Sequence, residues 1–131
     1  MSASNSLSLV LWPDELAICR LDARAGWPEW AENGRFLAIT RTPTELSVVC
    51  PQHLVPATVS HEPGWRMFAV VGPLPFTLVG VLASLVQPLA EAGVSVFAVS
   101  TFDTDYLLVK AAQLETAVVT LRHAGHTITT T

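Results

Sequence analysis

Short apolar runs separated by polar or Pro/Gly-rich breaks organise this chain from end to end. Leu7–Leu11 is a continuous apolar run halted by Trp12-Pro13-Asp14, which predicts a buried strand. Glu15–Leu21 is a second such run, with Ile18 and Cys19 inside it. Asp22–Gly34 reads as a loop carrying Trp27 and Trp30. Within it, Pro28-Glu29-Trp30-Ala31 predicts one helical turn with proline at the first position. Phe36–Thr40 and Leu46–Cys50 read as a strand pair joined by Arg41–Glu45, followed by one turn of helix over Pro51–Val55. Pro56–Gly64 has the composition of a linker, ended by the turn Glu62-Pro63-Gly64.

The second half is more complete. Arg66–Val71 predicts a strand. Phe76–Gly93 predicts a long helix, because Leu78, Leu82, Leu85 and Leu89 recur at helical spacing and Gly93 suits its end. Gly80 marks close approach to a neighbouring backbone, and Pro88 kinks the last turns. Val94–Ser100 and Tyr106–Lys110 read as strands, Ala111–His123 as a helix closed by Gly125, and Thr127–Thr130 as an edge-like strand. The order is β-α-β-β-α-β, a ferredoxin-like α+β unit.

The two halves also resemble each other. Phe36–Val49 aligns without a gap on Val96–Val109, sixty residues later: apolar falls on apolar, hydroxyl on hydroxyl, and Thr-acid on Thr-acid. The same offset pairs Leu9–Pro13 with Ala69–Pro73. Two copies imply a pseudo-repeated pair of modules rather than a solenoid. The division falls at residues 1–63 and 64–131, with the helices of the first module reduced to loops and single turns.

Composition narrows the function. Of 131 residues half are apolar and 14% are charged, enough for a core and too apolar for disorder. Net charge is −4, and seven Lys and Arg are scattered along the chain, without the basic footprint of a nucleic-acid binder. Met67–Ala90 has no charged residue and is long enough to span a bilayer. Gly72-Pro73-Leu74-Pro75 and Pro88 interrupt it, so a strand, a turn and a buried helix account for it better than a membrane span. Met1–Ser6 is polar and does not read as a signal peptide, which points to the cytoplasm. Cys19 and Cys50 lie in apolar runs without CxxC spacing, arguing against both a disulfide framework and a metal site.

Catalytic signals are missing: no GxSxG, HExxH, Walker A or GxGxxG is present, and no cofactor is implied. Asp103-Thr104-Asp105 has a DxD spacing that oxygen-binding metals use, but alternate residues beside a strand face opposite ways, and turn chemistry is the simpler account. His123 and His126 sit near a helix end without a third ligand, so no metal is expected there.

Several segments together, Gly72-Pro73-Leu74-Pro75-Phe76-Thr77, Gly80, Leu89–Val94 and Val99–Tyr106, resemble the ACT domain. More narrowly, the chain is similar to small bacterial tandem-ACT proteins, to the ACT modules of eukaryotic cytosolic arginine sensors, and to the regulatory halves of aspartate kinases. The resemblance implies a non-catalytic regulatory module that binds a small effector, most often an amino acid, at an inter-module or dimer interface. It also implies a homodimer. Carried over residue by residue, the ligand contacts fall on Pro75, Leu78, Val79, Leu82, Thr101, Phe102 and Asp105. The arginine sensors have glycine at the place of Pro75 and an acid at the place of Leu78. Losing that acid favours a neutral or apolar amino acid over arginine.

The residues give the same picture independently. A turn at Gly72–Pro75 leading into a helix start offers free N–H groups to a carboxylate. The strand end Ser100-Thr101-Phe102, with Asp105 as counter-charge, offers a seat to an amine. Two rival readings are a structural or interaction dimer whose ligand site has decayed, and a small enzyme using Asp103, Asp105 or a histidine.

Overall fold

The computed structural model describes residues 6–75 and 78–130. Its strands are β1 (Ser8–Leu11), β2 (Leu16–Leu21), β3 (Ala38–Arg41), β4 (Leu46–Pro51), β5 (Ser60–Val70), β6 (Val96–Ser100), β7 (Asp105–Lys110) and β8 (Thr127–Thr130). Its helices are α1 (Val81–Glu91) and α2 (Leu114–His123), with 3-10 turns at Glu29–Ala31, Gln52–Leu54 and Ala111–Gln113. By contacts the chain divides into residues 14–65 and a second unit made of the N-terminal segment to Pro13 with residues 66–131.

In the unit of residues 14–65 the strand order is β3-β4-β2-β5. That is the ferredoxin-like order, with single 3-10 turns at both helix positions, as the sequence predicts. Alternate side chains point inward: Ala17 and Cys19 on β2, and Leu46, Val48 and Cys50 on β4, pack with Ala31. Trp30, Leu37 and Ile39 pack against this cluster from its margin.

The predicted linker is not one. β5 begins at Ser60 and runs through Pro63 and Gly64. Between Leu16↔Trp65 and Ile18↔Glu62 the register slips by one residue, and Gly64 takes φ +79°. This is a β-bulge, where a left-handed glycine absorbs the extra residue. Gln52 secures it. Its Oε1 accepts the Gly64 N–H at 2.7 Å, and its Nε2 donates to Glu15 Oε1 at 3.0 Å.

In the second unit the order is β6-β7-β5-β1-β8. Here β5 serves as the first strand of a β-α-β-β-α-β module. β1 pairs antiparallel with β5 and parallel with β8, so it lies between the module's first and last strands. Leu9 and Val10 therefore face Val70 and Ala69 across an antiparallel ladder, and are not equivalent copies of them. The same pairing places β1 with residues 66–130, where the sequence reading grouped it with residues 1–63.

The core of this unit follows two periods. Phe68 and Val70 on β5, and Leu107 and Val109 on β7, alternate inward. Leu85 and Leu89 on α1, and Ala117 and Leu121 on α2, lie four residues apart on one face. Thr127–Thr130 forms the predicted edge strand.

α1 differs from its prediction. It starts at Val81 instead of residue 76, and its buried stripe is Val81, Leu85 and Leu89. Gly80 precedes it at φ +82°, so that glycine supplies a left-handed start rather than a close helix approach. Residues 76 and 77 of the predicted helix lie outside the described residues. Pro88 stands inside α1, as expected. Proline has no N–H for the carbonyl of Ser84, four residues earlier. His126 supplies the donor instead: its Nε2 lies 3.0 Å from that oxygen. Its Nδ1 accepts the Leu7 N–H at 3.1 Å, which fixes the tautomer with the proton on Nε2. The buried His126 is thus a structural bridge. Gly93 closes α1 at φ +79°, with Val94 N donating to Leu89 O at 2.9 Å, as its sequence position predicts.

Candidate ligand-binding cleft

The β6–β7 turn is tied down by its own threonines. Thr101 N donates to Thr104 O at 2.8 Å, and Thr104 N donates to Thr101 Oγ1 at 3.3 Å. Thr104 Oγ1 donates to Val70 O at 2.7 Å, and Leu74 N donates to Asp103 O at 2.7 Å. The turn is therefore fastened to the segment that leaves β5. Gly72 lies in that seam. A Cβ there would stand 3.0 Å from Asp103 O and 3.1 Å from Thr104 Cβ, so the turn would have to give by a few tenths of an ångström.

The turn at Thr42–Glu45 is closed in the same way. Thr42 N donates to Glu45 O at 2.9 Å, and Glu45 N to Thr42 Oγ1 at 3.1 Å. Thr42 to Thr101 and Glu45 to Thr104 are both fifty-nine residues apart. The structural repeat thus runs one residue short of the sixty read from the sequence. At fifty-nine, buried Val48, Val49 and Cys50 fall on buried Leu107, Leu108 and Val109.

Between the β6–β7 turn and the start of α1 lies a cleft of about 260 Å3. It is lined by Leu74, Pro75, Leu78, Val81 and Ser100–Asp105. Five of the sequence-predicted positions meet here: Pro75, Leu78, Thr101, Phe102 and Asp105. Two do not line it. Val79 points to solvent at 81% exposure, and Leu82 packs on the hydrophobic core. Both shifts follow from the late start of α1. Residues 78 and 79 belong to the approach to the helix, and Leu82 sits in its first turn, beside the inward stripe.

The contact set expected from the sequence lacks Leu74, Val81, Ser100, Asp103 and Thr104. The hairpin register was the missing signal, since it sets Ser100 opposite Asp105. Ser100 Oγ donates to Asp105 Oδ1 at 2.6 Å, which orients the carboxylate. Asp103 and Asp105 give the lining two acids, and among the described residues it carries no cationic side chain. Val81 brings the first turn of α1 to the same cleft. There the main-chain N–H groups and the positive dipole end can meet an anion. The helix start expected directly after the Gly72–Pro75 turn thus lies at Val81.

Phe102 is 78% exposed, and Val71 and Leu78 are exposed as well, so the surroundings of the cleft are apolar. Among the described residues no group of three His, Cys, Asp or Glu side chains is placed to hold a metal ion. None of the described helices is long and apolar enough to cross a membrane.

Residues 60–123 match the family model of the ACT domain. The chain is an ACT-domain protein. A second model, of an N-terminal domain, matches residues 14–58 of this ACT protein. Its fold is similar to that of protein Atu0741 from Agrobacterium tumefaciens, with a TM-score of 0.91 and 39% identity over 96% of this chain and 94% of that one. It is also similar to VC0802 from Vibrio cholerae, described as a protein of unknown function and possible transport protein. That match has a TM-score of 0.74 and 19% identity over 92% and 91% of the two chains. The regulatory subunit of aspartate kinase from Thermus flavus shares the fold at a TM-score of 0.62 and 13% identity, over 88% and 95%. No curated protein matches the sequence.

Proposed function

We propose that this ACT protein is a cytoplasmic, non-catalytic regulatory module that binds an amino acid with a neutral or apolar side chain. The observation that carries this reading is one cleft lined by both Asp105 and the first residue of α1. A zwitterion would set its ammonium toward Asp105 and its carboxylate toward the N–H groups at Val81. Leu78 and Phe102 would meet its side chain. The exposed apolar residues around the cleft suit cover by a second copy, so binding would be linked to a homodimer interface. On this reading the module boundary would fall inside β5, near residues 63–66.

Titration calorimetry against the twenty amino acids tests the proposal. Saturable heat with a neutral amino acid, weakened in Asp105→Asn, supports it. Absence of heat from every member, with unmoved melting temperatures, sinks it. A second reading rests on the exposed Leu78, Val79 and Phe102: this end of the unit would be a docking face whose ligand site has decayed. That reading expects a dimer by light scattering, no ligand, and dissociation on Phe102→Asp.

A further inference from the structure

The sequence holds only two cysteines, thirty-one positions apart, and nothing in their spacing joins them. The ladder does. β2 and β4 pair with Ala17 opposite Cys50 and Cys19 opposite Val48. Cys19 and Cys50 are therefore diagonal neighbours on adjacent strands, pointing to the same face of the sheet. Both are free and buried, at 2% and 0% exposure, and both belong to the small core built on Ala17, Leu46 and Val48.

The ladder sets the two thiols close enough for each to shift the other's titration. The neighbouring Cys50 thiol holds Cys19 below its ordinary value, against the opposing effect of burial. The neighbouring Cys19, burial and the Cys19 charge push Cys50 up. Cys19 is thus the sulfur that loses its proton first, with Cys50 beside it as the proton donor.

We infer that Cys19 and Cys50 form a reversible redox pair, converted by a peroxide into a disulfide that bridges β2 and β4. This goes beyond the proposed effector binding and does not depend on it. The Cys19 thiolate attacks one peroxide oxygen; the O–O bond breaks, and the departing oxygen takes a proton from solvent. Cys19 is now a sulfenic acid, oxidised by two electrons, and the peroxide is reduced. The Cys50 sulfur then attacks Cys19 Sγ; the S–O bond breaks, and the hydroxide leaves as water with the Cys50 proton. With hydrogen peroxide, two thiols give one disulfide and two waters.

Diagonal neighbours in an antiparallel ladder have Cα atoms about 7–8 Å apart, while a relaxed disulfide wants them within about 6.8 Å. The bridge therefore draws the two strands together, and such strained bonds are the readily reduced ones. Because both sulfurs are buried, oxidation waits on local opening of β2 from β4.

The folded full chain is treated with hydrogen peroxide, quenched, unfolded, alkylated with iodoacetamide and weighed intact. The expected product has lost two hydrogens and takes no label on either cysteine. Dithiothreitol restores both labelling sites. Two labelled cysteines after peroxide, oxygens added to a cysteine, or a disulfide between chains each overturn the pair. In Cys50→Ser the resolving sulfur is gone, and dimedone should capture a sulfenic acid on Cys19. Peroxide-treated Cys50→Ser that stays unreactive to dimedone removes Cys19 from the attacking role. If that variant does not fold, the wild-type masses alone decide.

Discussion

The unit of residues 14–65 and the unit of residues 66–130 share the same hairpin beside their first strand and the same threonine-closed turn, although β1 is inserted before the last strand of the second, and they finish that turn differently. The rung Ser100↔Asp105 of one corresponds to Arg41↔Leu46 of the other. Where Asp105 lines a cleft, Leu46 is buried in a core. Where Ser100 orients that acid, the Arg41 guanidinium donates to the carbonyls of Ala23 and Ala25. One copy leaves the end of its hairpin open beside a helix start; the other closes it with its own arginine on its own loop. The strand ladder therefore defines the module, and the helical layer with one rung of the hairpin decides whether a cleft accompanies it.

Four substitutions would break or sharpen this contrast. Leu85→Ala removes a fully buried side chain of α1 and should cost about 2–5 kcal/mol in denaturant unfolding. A loss below about 1 kcal/mol would mean that the helical layer is not what stabilises residues 66–130. Gly72→Ala forces a methyl group against the Asp103 carbonyl and should cost about 1–3 kcal/mol. It should also weaken ligand binding, because the turn that lines the cleft must shift. Unchanged stability in this variant would contradict the tight seam.

Asp105→Asn keeps an acceptor for Ser100 but removes the charge. Calorimetry should show ligand affinity falling about 10- to 100-fold, with stability changed by no more than about 0.5 kcal/mol. The smallest effect belongs to Arg41→Ala, about 0.5–1.5 kcal/mol from the lost carbonyl bonds, with ligand affinity unaltered. A ligand effect in Arg41→Ala would show that the hairpin of residues 38–51 takes part in binding after all.

Much of the fold was legible, because strand periodicity and proline punctuation are local signals. The runs at Leu7–Leu11 and Glu15–Leu21, both hairpins, and the single turns near Pro28 and Pro51 all stand close to where the pattern places them. What was hidden depended on partners. Pro63-Gly64 has the chemistry of a turn, and only pairing with β2 turns it into a bulge. Leu78 shares the helical spacing of Leu82, Leu85 and Leu89, so nothing in the stripe announces that Gly80 delays α1 to Val81. Adjacent apolar residues at Val48-Val49 and Leu107-Leu108 let the repeat slide by one position, and a slip of one exchanges the two faces of a strand. For the cleft, Asp105 and Thr101 could be singled out on charge and turn chemistry. Asp103, Thr104 and Val81 needed the tie between Leu74 and the turn. The meeting of Cys19 with Cys50 likewise needed a register.

The seat of β1 has a consequence for how the chain is made. Leu9 pairs with Ile128, and Leu7 is tied to His126 across 119 positions. Residues 14–65 contain all their own strand partners and can assemble as soon as they leave the ribosome. The first strand can pair with β5 once residues 66–70 are made, but its other edge stays open until Thr127–Thr130 follows. That open edge is the last of the ladder to close.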